Sequence, residues 1–574
     1  MSTLENSDID GVKSLEKRSP DTVMRLARMG CFHQTRLSFM RALLRRLRRE
    51  SWRFERTRWN IDAKGVGVAV YTAYGPRRNY SLVAFAHDLP PELRSDRVIA
   101  TAWDATFCLF DGIPNDADIE RLHANVPLQE AGRVSDSELS LSRANRSVRL
   151  WAHVLERLAD GKQPDVEQVD QVGYLMRTTA VYGSGKFGAA DRYRIQDRML
   201  ASGPFRLEML SVYLTRAFSV DLVEHMAKVK GGDKAVLIEP TLRRRFGVGN
   251  STGLGMAPFL VNHPLLLHRW IDARETALAR VRAIDAASQA EQDKFRQLLQ
   301  RASLNAELWH SEHPLQVEKL KTLRAELALL HSHVASIDLN IERPWQAIFS
   351  WAEEQLTEEG QEQLLALLLE PYGELVDELS ANMWADEYAA FRIRGDQSVA
   401  KLKQRLETQY RWALDVDYEL RENCARFWYV SEEKLEPRLG ERYDEPGAEY
   451  EQPLDTGRAA AHLYHALAQW SDTALVADVL LAEPQHRHIV RRVQLQAKYP
   501  YAEIRDNLIA ADMLPIDLLR CKLSFFGATH FDPRSDRWVR ICMFQHAPFP
   551  AELADFDDDD WAYPPLTATV EAVQ

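Results

Sequence analysis

The sequence predicts a mainly α fold, a helical bundle, with a smaller antiparallel α+β portion from N-terminal strands and a C-terminal β-hairpin that can extend it. Three observations predict this. Four runs of period-two alternation follow one another between residues 51 and 110, with no helical pattern between them. Apolar residues at i, i+3, i+4 and i+7 then dominate from about 166 to 430. Near the end, "CKLSFFGATHF" and "DRWVRICMFQ" flank the turn "DPRSD", a hairpin signal.

Residues 1–20 are polar and charged and read as a disordered N-terminus. A helix is expected from about Asp21 to Arg49, opening an α+β domain over 21–165. In "SWRFERTRW", Trp52, Phe54 and Arg56 alternate with Arg53, Glu55 and Thr57; "GVGVAVYTAYG" puts Val66, Val68, Val70 and Thr72 on one face. "NYSLVAFAHD" and "DRVIATAWDATFCLF" follow. Consecutive strands without a crossover helix must pair antiparallel. Helices at Asp116–Asn125 and Ser135–Ala159 are expected to cover this meander. A helical domain with glycine-rich loops spans 166–430, with long runs such as "PLLLHRWIDARETALARVRAIDAA". A mixed helical and hairpin region, 431–550, begins with a charged stretch bearing Pro and Gly. The segment 551–574 carries "DFDDDD" and reads as an acidic, mobile tail.

Composition limits the function. A net charge of −12 and a pI of about 5.8 argue against nucleic acid as a partner, because that needs a broad basic surface. A local basic pocket for a small anion remains compatible. The five cysteines are odd in number and show no CxxC spacing, which fits a reducing cytoplasm and no disulfide framework. No apolar run approaches the roughly 20 residues that span a bilayer, so no membrane partner is expected. The polar start lacks the apolar stretch of a signal peptide.

Two glycine-rich stretches are the candidates for chemistry. In "VYGSGKFGAADR", Gly183, Gly185 and Gly188 flank Lys186 and Ser184. Glycine lets backbone N–H groups wrap an anion. The spacing spells GxGxxG, but "VDQVGYLMRTTAVY" before it reads as helix, where a dinucleotide loop needs a strand. A helix end followed by a turn is the competing reading. In "TLRRRFGVGNSTGLGMAPFLVNHP", Arg243, Arg244 and Arg245 precede Asn250 and Ser251. Arginine forks bind carboxylate or phosphate bidentately. His263 closes this stretch and titrates in the range that suits proton transfer. Tyr429, in the aromatic run "RFWYV", is a second proton-transfer candidate. The run "RALLRRLRRESWRFERTR" could bind an acidic partner or nucleic acid, but the chain's acidity, with Glu50 and Glu55 inside the run, favours a solvated helix face pairing with acidic residues elsewhere. His310/His313 and His462/His465 have metal-ligand spacing, but no HExxH and no third carboxylate accompany them, so no metal is expected.

Met256, Pro258, Asn262 and Pro264 resemble, in part, the serine-loop signature GSSxMPxKxNP of the fumarase/aspartase superfamily. Members of that superfamily are helical bundles that eliminate groups from carboxylates. The match covers under a dozen residues. Met and Pro are not adjacent here, Leu260 and Val261 stand where the lysine should be, and most bundle helices follow the loop. The resemblance implies carboxylate chemistry only.

The expectation is a cytoplasmic enzyme that acts on a small anionic substrate, chiefly a carboxylate, by proton transfer of lyase or isomerase type. No cofactor is required, and a homo-oligomer is compatible with a large helical bundle. Two alternatives stand beside it: a non-catalytic helical scaffold for an acidic partner, and a nucleotide-cofactor-dependent enzyme.

Overall fold

A computed structural model describes residues 6–7, 12–29, 34–93, 102–128, 135–179, 206–253, 264–309, 311, 313–383, 392–420, 456–505, 520, 524–527, 530–533, 538–556 and 559–564. Helix α1 (Phe39–Arg49) leads into four strands: β1 (Arg53–Ile61), β2 (Gly67–Tyr74), β3 (Asn79–Ala86) and β4 (Ala105–Asp111). Each pairs antiparallel with the next, as the alternation requires. Helix α2 (Asp116–Asn125) starts where expected because Asn115 and Asp118 form a reciprocal capping box.

The sheet then grows beyond the expected meander. Residues 135–159 are not one helix but strand β5 (Glu138–Arg146) followed by helix α3 (Trp151–Ala159). Helix α4 (Val166–Val172) ends at Gly173, whose φ of 76° reverses the chain into β6 (Tyr174–Thr179). Helix α5 (Arg206–Gly231) precedes β7 (Gly247–Gly253), formed by the stretch read as a glycine-rich loop. The hairpin β8 (His530–Pro533) and β9 (Trp538–Met543) is present and pairs onto β7. Among the described residues these strands form a nine-stranded sheet in the order β8-β9-β7-β6-β5-β4-β3-β2-β1. β6 and β7 are parallel, and the other neighbours are antiparallel. The fold is therefore mixed α+β with a large sheet, which corrects the expectation of a bundle carrying a minor one. Pairing on both sides overrode the weak strand propensity of "GVGNSTG".

Helix α5 lies on one face of the sheet. Its Phe218 meets Phe107, Tyr71 and Trp59 with ring centroids 5.5, 6.4 and 6.4 Å apart. The same core continues into helices α6 (Pro264–Arg282), α7 (Gln289–Leu308), α8 (Pro314–Ser336), α9 (Pro344–Gln355) and α10 (Glu358–Leu369). A separate smaller core unites α11 (Val399–Gln409), α12 (Thr456–Leu467), α13 (Val476–Ala482) and α14 (Arg487–Gln496) through Leu402, Leu463, Val479 and Val493. Among the described residues, no helix is long and apolar enough to cross a membrane.

Both ends differ from the expectation. The stretch from Asp21 to Arg49 is broken into Pro20–Val23, Leu26–Met29 and α1. Arg18 is buried, its Nε 2.8 Å from Glu275 and its Nη1 2.7 Å from Glu362. In the supposed tail, Trp561 and Tyr563 are fully buried, because apolar side chains that reach a core outweigh nearby aspartates. The arginine run pairs inward. Arg41 holds Glu370 through both guanidinium ends at 2.5 and 2.8 Å, Arg46 holds Glu50 at 2.8 Å, and Arg48 donates to the Phe556 carbonyl at 2.5 Å.

Candidate functional site

Strand alternation gives the sheet two faces. One faces α5. On the other, Val70, Val83, Phe85, Cys108, Phe110 and Leu141 pack beneath Ile119 and Leu122 of α2. Following that face across the sheet changes its chemistry. Phe85 stands opposite Thr106, Thr106 opposite Arg143, and Arg143 opposite Thr179. One step along the strands, Asn145 stands opposite Arg177 and Arg177 opposite Gly249. His87 follows the end of β3, its N–H donating to the Asp104 carbonyl at 2.8 Å. On β9, Arg540 is opposite Ser251 of β7 on this same face.

These groups are held firmly. His87 Nε2 lies 3.0 Å from Thr106 Oγ1. The Arg143 guanidinium sits 4.0 Å over the Trp103 ring. Asp104 is fully buried and accepts from the Arg146 backbone N–H at 2.9 Å. Asn145 locks this corner: its Oδ1 accepts from the Asp104 N–H at 2.9 Å, and its Nδ2 donates to the Ala102 carbonyl at 3.2 Å. Arg177 is only 4% exposed. Burial, reinforced by the charge of His123, pushes the His87 pKa below its ordinary value, against the pull of Asp104. The shift favours the neutral imidazole near pH 7. Burial also lowers the pKa of Arg143.

Four of the residues nominated from sequence, Ser184, Lys186, His263 and Tyr429, lie outside the described residues. The three consecutive arginines diverge to three different acids. Arg243 pairs with Asp221 of α5 at 3.2 Å, Arg244 with Glu552 at 3.2 Å, and Arg245 with Asp170 of α4 at 2.5 Å. They do not form one fork. Asn250 is buried on the α5 side of β7, where its Nδ2 donates to the Thr178 carbonyl at 3.1 Å. Its Oδ1 has no hydrogen-bond partner among the described residues. Ser251 lies on the Arg177 side by register.

One reading of the sequence is reversed. "VYGSGKFGAADR" is fed by strand β6, not by a helix. Because β6 and β7 run parallel, with Thr178 beside Asn250, both glycine-rich stretches leave the sheet from the same end of adjacent strands. Sequence reasoning missed His87, Asp104, Arg143, Arg177 and Arg540. A signal existed: Arg143 and Asn145 alternate around Ala144, and Arg177 and Thr179 around Thr178, a polar stripe at strand period.

The chain matches no protein-family model, no curated protein and no solved structure. Among the described residues, no group of three or more His, Cys, Asp or Glu side chains is placed to hold a metal ion. One sheet face thus carries two guanidinium groups and an imidazole of lowered pKa, with the Trp103 ring against Arg143.

Proposed function

We propose that the chain is an enzyme that holds a small carboxylate on Arg143 and Arg177 and moves a proton through His87, in chemistry of lyase or isomerase type. The supporting observation is that His87, Arg143 and Arg177 come from three different strand segments and share one sheet face. Guanidinium forks fix a carboxylate bidentately. They also stabilise the charge that develops on it when the neighbouring carbon loses a proton. A neutral imidazole of lowered pKa takes that proton without first shedding its own. Asp104 and Asn145 act as positioning residues through the strand ends that carry His87 and Arg143.

The test is a thermal-shift screen of small carboxylates and phosphates at low salt, since a ligand that binds only the folded state raises the midpoint. The reading expects a carboxylate to raise it in the wild type and not in Arg143→Ala or Arg177→Gln. A wild type that responds to no carboxylate, or variants that respond equally, would sink it.

A second reading, nucleotide-dependent chemistry, gains from one observation: β6, α5 and β7 follow one another as a parallel strand–helix–strand unit, and Gly183, Gly185 and Gly188 come just after its first strand. It expects NAD(P) or ATP to raise the midpoint, with the response lost in Lys186→Ala and kept in Arg143→Ala.

A further inference from the structure

Residues 499–505 follow α14 and run as a strap between the smaller core and the main one. On the smaller-core side, the buried Glu503 carboxylate accepts from Arg492 Nη2 of α14 at 2.8 Å and from the Tyr410 hydroxyl at 3.1 Å. On the other side, Tyr501 and Ile504 belong to the main core. The Tyr501 hydroxyl donates to the Arg18 carbonyl at 2.8 Å, and the Arg505 N–H donates to the Met24 carbonyl at 2.9 Å. Leu265, in the first turn of α6, packs with Leu495, Tyr499 and Ala502. The strap thus grips one core with Glu503 and the other with its neighbours.

One of these grips is titratable. His268 of α6 accepts the Tyr501 backbone N–H on its Nδ1 at 3.3 Å. An amide N–H can only donate, so Nδ1 carries the lone pair and the ring proton sits on Nε2. A protonated imidazole has two donors and no acceptor, so protonation removes the contact outright. The ring is only 6% exposed. Tyr501 stacks on it, with centroids 5.8 Å apart and planes 16° apart, and Tyr499 tilts against it at 5.2 Å. The charges around it come from three segments. Arg269 and Asp272 are on α6, and Lys17 approaches from the N-terminal segment, its Nζ 3.0 Å from Asp272. Lys498, on the strap side, stands 5.2 Å over the Tyr499 ring. Glu275, Arg18 and Arg274 act on Tyr501. Burial first, with Arg269 and Lys17 adding to it, lowers the His268 pKa to about 4 against the pull of Asp272. That carboxylate is shared with Lys17.

We propose that His268 is an acid-released latch, whose protonation frees the strap from α6 and undocks the α11–α14 unit from the main core as an intact body. With the strap released, the ring is in water and titrates near the ordinary value of about 6.5. The docked state holds the proton more weakly. Docking is therefore at full strength above about pH 6.5 and weakens as pH falls toward the docked-state value. The latch uses no residue of the His87 face, so it stands or falls independently.

The test is hydrogen–deuterium exchange on the full chain at about pH 7.5 and about pH 5, corrected for the intrinsic exchange rate. Peptides covering 499–505 should lose protection about tenfold or more at the lower pH. Peptides from α11, α12 and α14, and from β2 and β3, should keep theirs. His268→Asn places an amide oxygen where Nδ1 stands and does not titrate, and His268→Gln is a second replacement of the same kind. Either should hold the strap equally protected at both pH values. The proposal is overturned by wild-type strap protection that does not change with pH, or by the same loss in a folded His268→Asn or His268→Gln. It is also overturned if the wild-type loss extends through the sheet or through α11, α12 and α14, since that is acid unfolding and not undocking.

Discussion

The same sheet face carries two opposite chemistries. Over β2 to β4 its outward residues are Val70, Val83, Phe85, Cys108 and Phe110, and α2 seals them from water. Over β5 and β6 the same alternation presents Arg143, Asn145 and Arg177. Thr106 and His87 mark the junction. The backbone pairing is continuous across this boundary, so strand geometry cannot be the cause of the difference. The first half is stabilised by removing apolar area from water. In the second half a guanidinium as buried as that of Arg177 costs free energy unless an anion or dipole answers it.

The largest expected effect tests the junction. His87→Ala should lower turnover about 10²- to 10⁴-fold, the usual contribution of a positioned acid–base group, with the melting midpoint little changed. Steady-state kinetics on whichever carboxylate shifts the midpoint measure this, and a rate within a few-fold of wild type removes His87 from the chemistry. Next, Phe85→Ala in the sealed half should lose about 3–5 kcal/mol in urea denaturation, while ligand-induced stabilisation persists in what remains folded. If ligand response disappears with it, the two halves are not separable. Third, Arg177→Gln should weaken carboxylate affinity about 10- to 100-fold by calorimetry, as expected for losing a charged hydrogen bond. An unchanged affinity would place the anion elsewhere.

The smallest effect is in the pH profile. The His87 pKa is lowered, so the acid limb of kcat/KM should fall below the ordinary imidazole value of about 6.5. Asp104→Asn removes the charge that opposes this lowering, so the limb should move to still lower pH. The same shift affects stability. Below the unfolded-state pKa the unfolded chain binds the proton more readily, so stability decreases as pH drops from about 6.5 through the lowered folded-state value. A limb that rises in Asp104→Asn would contradict the placement of the two groups.

Much of the meander was legible because alternation, turns and the Asn115 cap agree locally. β5 was not, because "SELSLSRANRSVRLWAHVLERLA" runs from strand into helix without a glycine or proline break. β6 was absorbed into a helical period for a similar reason, with only Gly173 marking the boundary. The candidate site was hidden as a consequence: Arg143 and Arg177 acquire a shared face only once both segments are strands in register. Anion chemistry was legible as a theme through Arg243 to Arg245, but ion pairs to Asp221, Glu552 and Asp170 engage those side chains. Sequence spacing carries no information about which acid a long side chain will find.

The position of β7 has a consequence for synthesis. One neighbour, β6, precedes it; the other, β9, pairs Ile541 with Asn250 and leaves the ribosome roughly 290 residues later. At about 5–20 residues per second that is a wait on the order of 15–60 s with one strand edge open. An open edge of good β-formers would recruit any passing chain. "GVGNSTG" is a poor β-former, weak until both neighbours are present. The composition that disguised this strand as a loop also keeps the nascent chain from sticking to others while it waits for its last partner.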